Sequence, residues 1–132
     1  MDTIICKNNK YLLDSAKCSV PWLTARNKAI IALMLDSGLR QNEVCTLVKK
    51  GLDFDRGALQ VTGKGCKDRL VPLGYISKML LEDYLSQCPY KDLDYVFCGR
   101  MGNQISRNAI KVFMNRLKHQ IPFDISSHKL RH

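Results

Sequence analysis

The sequence predicts a single α+β domain, mainly α-helical, with a small antiparallel β-hairpin. Apolar residues recur at helical spacing over most of the chain. Two short β-type runs, Ala58–Thr62 and Arg69–Pro72, flank a glycine-rich, charged turn. The length, 132 residues, is enough for one buried core and too short for two.

Taken in order, residues 1–20 show no clear period and read as a leader closed by Pro21, leaving 21–132 as the domain. Trp22-Leu23-Thr24 opens the first helix, with Thr24 as N-cap and Leu23, Ala29, Ile30, Leu33 and Met34 as its apolar stripe. Gly38 suits the residue just past its end. A second short helix runs from Gln41 to Val48, with Val44, Leu47 and Val48 facing inward. The hairpin follows. Leu80, Leu81, Tyr84 and Leu85 mark a helix from Ile76 to Ser86, and Tyr75 and Tyr84 read as packing residues. Tyr95–Cys98 is a brief extended segment. Ser106 caps a further helix that buries Ala109, Ile110, Phe113 and Leu117, while Arg107, Lys111, Arg116 and Lys118 lie on its other faces. Ile125–Arg131 begins another helix, capped by Ser126 or Ser127.

The net charge is +9. That excess favours polyanionic partners, because each neutralised phosphate releases condensed counterions. No apolar run approaches the roughly 20 residues needed to cross a bilayer, and the N-terminus lacks the pattern of a secretory signal, so a cytosolic location is expected. The six cysteines (Cys6, Cys18, Cys45, Cys66, Cys88, Cys98) include no C-x-x-C pair. They read as reduced thiols, and no metal site is expected.

Three segments carry chemistry. Arg40 falls where one helix ends at Gly38 and the next begins, a position whose free N–H groups and dipole favour anions. Its planar fork could grip two phosphate oxygens, with Glu43 three residues on to hold it; read alone, the segment favours a plain exposed arginine with an i,i+3 partner. Gly63-Lys64-Gly65-Cys66-Lys67-Asp68-Arg69 puts three cations on one turn, either to approach DNA or simply as a solvated loop. His128 and Arg131, at i and i+3, share a face and suit an anionic transition state, or are surface residues of a basic chain. His119 reads as a surface residue.

In this order and spacing, Gly38-Leu39-Arg40-x-x-Glu43, Thr62-Gly63-Lys64-Gly65-x-Lys67-x-Arg69-x-Val71-Pro72-Leu73 and His128-x-x-Arg131-His132 resemble the catalytic domain of tyrosine recombinases, the phage integrases. The match runs from about Trp22 to the end. The resemblance implies that fold, with Arg40 and Arg131 on the scissile phosphate and Lys64 protonating the 5′ oxygen. It further implies His128 as the active-site histidine and Glu43 as support for the first arginine. Lys67 and Arg69 would contact DNA. Double-stranded DNA is the implied partner, with a homo-oligomer formed on it by the full-length protein; no cofactor is implied.

The family's nucleophilic tyrosine lies beyond the H-x-x-R motif. Here all five tyrosines (Tyr11, Tyr75, Tyr84, Tyr90, Tyr95) precede His128. The expectation is a C-terminally incomplete catalytic domain, inactive by itself, whose alternative is a non-catalytic DNA-binding module that occupies DNA or pairs with a full-length partner. A type IB topoisomerase would share the chemistry, but the compact spacing of the first two motifs favours a recombinase.

Overall fold

The computed structural model describes residues 20–62 and 68–120, the side chains of 118–120 excepted. The described residues form four α-helices and a small sheet: α1 (Pro21–Asp36), α2 (Gln41–Thr46), α3 (Tyr75–Gln87) and α4 (Arg107–Gln120). The strands are β1 (Leu52–Asp53), β2 (Ala58–Thr62) and β3 (Asp68–Pro72), in the order β1-β2-β3 and antiparallel throughout. The expected mainly helical α+β fold is observed.

α1 is the central helix. Ala29-Ile30-Ile31-Ala32-Leu33-Met34 is buried without a break, so the predicted stripe widens to the whole circumference. A helix apolar all round must be covered on every side. α3 covers one side of it, turning Ser77, Leu81 and Tyr84 inward. α4 adds Ile110, Phe113, Met114 and Leu117, and the sheet adds Leu59, Val61 and Val71.

Local signals set most boundaries, with some corrections. α1 starts at Pro21 rather than after it, because proline's fixed φ and missing N–H suit a first helical position. Thr24 is therefore not the cap; its hydroxyl bonds the Val20 carbonyl inside the first turn. α2 stops at Thr46, and Val48, only half-buried, pairs instead with Tyr95. Ser106 caps α4 as expected, its Oγ accepting from the Ala109 N–H at 3.0 Å. Tyr75 is 75% exposed and not a packing residue, since at the first position of α3 it has no preceding turn to lie on.

Candidate functional site

The end of α1 is where the site is built. Gly38 adopts φ +69°, a left-handed conformation that a side chain would strain, and the Leu39 N–H reaches back to the Leu33 carbonyl. The turn buries Leu39 completely and leaves the next residue, Arg40, outside.

Arg40 sits in extended conformation as the N-cap of α2 and is exposed. Among the described residues, no hydrogen bond or ion pair holds its guanidinium. Its backbone, by contrast, is fixed: the Arg40 N–H donates to Glu43 Oε1 at 2.9 Å. The expectation that Glu43 would hold the guanidinium is therefore not met. At the third position of a short helix its carboxylate folds back onto the N-cap N–H instead.

The same Glu43 oxygen accepts from Arg69 Nη2 at 2.8 Å. The Glu43 side chain is 5% exposed and that of Arg69 51%, so a buried carboxylate is balanced by a cation arriving from β3 with its other face in solvent. Two further bonds fix the same corner. Ser37 Oγ donates to the Pro72 carbonyl at 2.9 Å, and Ser77 Oγ donates to Asp36 Oδ2 at 3.1 Å. The turn carrying Arg40 is thus fastened to the end of β3 and to the first turn of α3. Gln104 Nε2 donates to the Cys45 carbonyl at 2.8 Å and holds the other end of α2.

At the end of the strand pair next to the turn, Gln60 Nε2 and Thr62 Oγ1 both donate to Asp68, at 2.8 Å each. Asp68 is thereby held between two neutral donors on the strand pair. Lys64 and Lys67, and the pair His128 and Arg131, lie outside the described residues, as does the His119 side chain. Sequence reasoning missed Ser37, Asp36, Ser77 and Gln104. A hydroxyl just before the turn glycine was the one available hint.

A cavity of about 520 Å³ lined by Val48–Lys50 and Lys91–Tyr95 is a structural junction rather than a cationic site for anions. Lys49 Nζ donates to the Lys91 carbonyl, and Lys91 Nζ to the last carbonyls of α3, those of Leu85 and Ser86. Of the tyrosines described, Tyr84 is wholly buried and Tyr90 donates to the Arg100 carbonyl at 3.2 Å. Among the described residues, no cluster of three or more His, Cys, Asp or Glu could hold a metal ion, and no helix is long and apolar enough to cross a membrane.

A mostly helical domain with a three-stranded antiparallel sheet is the fold that this chain shares with solved recombinase structures. The structure of XerA recombinase matches it with a TM-score of 0.80 at 23% identity, over 95% of this chain and 46% of that one. The site-specific recombinase XerH, bound to its difH substrate in a pre-cleavage complex, matches with a TM-score of 0.72 at 24% identity, over 95% of this chain and 39% of that one.

The chain belongs to the phage integrase family, whose sequence profile matches residues 8–132. The tyrosine recombinase XerC of Rickettsia peacockii (strain Rustic) is 33% identical over 121 residues, 86% of this chain and 38% of that protein. The chain thus spans a little over a third of the length of such relatives, and the resemblance read from its three motifs is borne out.

Proposed function

We propose that this chain forms part of the catalytic domain of a site-specific DNA recombinase, and that its own part in the reaction is to hold a DNA phosphodiester. The observation that supports this best is the state of Arg40: its backbone is pinned by Glu43, while its guanidinium is exposed and held by no described residue. A planar cation so presented fits two oxygens of one phosphate. The net charge of +9 adds a field that draws polyanions to it.

In the complete enzyme, a tyrosine hydroxyl attacks the phosphorus. The bond to the 5′ oxygen breaks, a 3′-phosphotyrosyl link forms, and the 5′-hydroxyl of a second strand reverses the step. Lys64 gives the proton to the departing oxygen. Arg40 and Arg131 neutralise the non-bridging oxygens, and His128 shares a proton in the same anionic transition state. The phosphodiester energy stays in the covalent link, so the scheme calls on no cofactor. Lys67 approaches the DNA backbone from the hairpin. The partner is double-stranded DNA, and several copies of the full-length protein assemble on it.

Binding of this chain to a fluorescein-labelled duplex, measured against salt beside Arg40→Ala and Lys64→Ala, tests the proposal. A steep salt dependence is expected, with a slope that falls by about 0.9 for each phosphate that is no longer neutralised. Binding left unchanged by both substitutions refutes the phosphate clamp.

A further inference from the structure

We infer that Arg69, the one cation of the hairpin whose bonding the structure describes, is a positioning residue that acts on Arg40 through Glu43 rather than a ligand of DNA. The inference rests on the reading of Arg40 as a phosphate clamp and names what holds that clamp in place.

The argument is one of charge and connectivity. Glu43 is a carboxylate at a buried position, and a buried carboxylate needs a cation or several donors to stay ionised. Arg69 is its one ion-pair partner among the described residues, at 2.8 Å. The oxygen that takes the Arg69 bond is the same Oε1 that takes the Arg40 N–H. Removing the guanidinium leaves the Glu43 carboxylate short of a donor and draws it to rotate toward water, which ends its hold on the Arg40 N–H. The N-cap of α2 then loses the bond that sets the direction of the Arg40 side chain.

Geometry limits what Arg69 can do otherwise. It lies on β3, paired with Val61 of β2, and its reach is spent crossing from the sheet to α2. A guanidinium whose charge is already balanced by a buried carboxylate, and which spends a donor on it, neutralises a phosphate less than Arg40, unpaired among the described residues, does. The hairpin and the Arg40 turn are therefore joined by a bond spanning 26 residues of sequence, and the Ser37–Pro72 bond closes the other side of the same joint.

The test is a mutant cycle read on binding to a 30-base-pair duplex of arbitrary sequence, with salt varied and melting followed in parallel. The variants are Arg40→Ala, Arg69→Gln, their double, and Glu43→Gln. Positioning predicts that Arg69→Gln lowers the salt slope by about 0.9, as Arg40→Ala does, and that the double lowers it no further. Glu43→Gln should follow Arg69→Gln, although it leaves both cations in the chain. Direct binding of DNA by Arg69 predicts instead that the two arginine effects add, to about 1.8 in slope, while Glu43→Gln, which frees Arg69, keeps or steepens the slope. That result overturns the inference and leaves the Arg40 clamp standing.

A lower melting temperature in Arg69→Gln with the full effect of Arg40→Ala retained also overturns it, since the pair would then serve the fold alone. Arg40→Ala without effect removes the clamp itself and this inference with it. If Arg69→Gln does not fold, Glu43→Gln carries the same comparison alone, because its neutral amide keeps the shape but no longer pairs with Arg69 and holds the Arg40 N–H more weakly.

Discussion

Two polar side chains each tie distant segments of this protein together, and they do so under opposite conditions. At the centre, Tyr84 donates from its hydroxyl to the Val96 carbonyl at 2.8 Å and accepts from the Cys98 N–H at 3.3 Å, with its ring stacked on Phe97 at 5.4 Å. At the rim, Glu43 accepts from the Arg40 N–H and the Arg69 guanidinium. The first hub is neutral and sealed among apolar groups and the thiols of Cys88 and Cys98, whose sulfurs lie 3.5 Å apart. The second is ionic and has one partner half in solvent. A neutral hub can be buried at small desolvation cost and returns stability; an ionic one recovers little of its cost and fixes geometry instead.

The largest expected effect breaks the neutral hub. Tyr84→Ala removes a wholly buried ring and should cost about 3–5 kcal/mol, as aromatic truncations in cores do. Tyr84→Phe keeps the ring and strips one bond from each of two buried backbone groups, for about 1–3 kcal/mol. Urea unfolding measures both, and a Tyr84→Phe protein as stable as the parent would show that the hydroxyl bonds do not hold Val96 and Cys98.

Alkaline pH tests the same hub without mutation. Burial, above all, raises the Tyr84 phenol from its ordinary 10.0, with the neighbouring Cys98 and Cys88 adding to the rise. Burial also raises Cys98 and Cys45 from 9.0, partly offset at Cys45 by Arg107. A raised native pKa means that the native state keeps a proton which the unfolded chain gives up. The stabilisation is complete below the unfolded value and erodes as pH climbs past it. Melting temperature should therefore stay level to about pH 8.5 and then fall, each group contributing about 1.4 kcal/mol per pH unit above its unfolded pKa. In Tyr84→Phe the part that sets in above pH 10 should vanish. A melting temperature flat to pH 11 contradicts the burial of these protons.

What the sequence displayed and what it concealed divide along the same line. Gly38, Ser106 and the β2–β3 hairpin were legible because each is decided within a few residues: a left-handed turn, a cap, two β-type runs about a glycine-rich loop. Arg40 was legible as an exposed cation for the same reason. The partner of Glu43 was not, because local spacing offers Arg40 at i−3 while the fold supplies Arg69 from 26 residues away. Nor could spacing reveal that Ser37 binds Pro72 across 35 residues, or that Tyr75 stands clear of the core its neighbour Ser77 enters. Elements follow local chemistry; the joints between them follow from packing, which no single stretch encodes.

At the ionic hub the stability effects should be smaller than at the core. Arg69→Gln leaves a buried carboxylate short of its cation, which for a fully buried pair would cost about 3–5 kcal/mol. Because Arg69 is half exposed, the charge-assisted hydrogen-bond figure of about 1.5–3 kcal/mol is the better guide. Gly38→Ala acts nearby by another route, forcing a side chain into a left-handed conformation for about 1–2 kcal/mol. Urea unfolding of Arg69→Gln that shows a loss as large as Tyr84→Ala would erase the contrast between the two hubs.

Ser37→Ala is the smallest change and the sharpest probe of whether the rim serves geometry. Its hydroxyl bond to the Pro72 carbonyl is exposed, so water can replace the donor, and the stability cost should be about 0.5–1 kcal/mol. The bond nevertheless joins the residue before Gly38 to the last residue of β3, on the side of the joint opposite Arg69. If the two ties act together, loosening one makes the other matter more. The loss of duplex binding in Ser37→Ala should then exceed what its small stability change explains. Combined with Arg69→Gln, it should give a coupling beyond the roughly 0.5 kcal/mol that separates independent sites from coupled ones. Strict additivity in binding would mean that each tie secures its own segment and that the Arg40 turn is held from one side only.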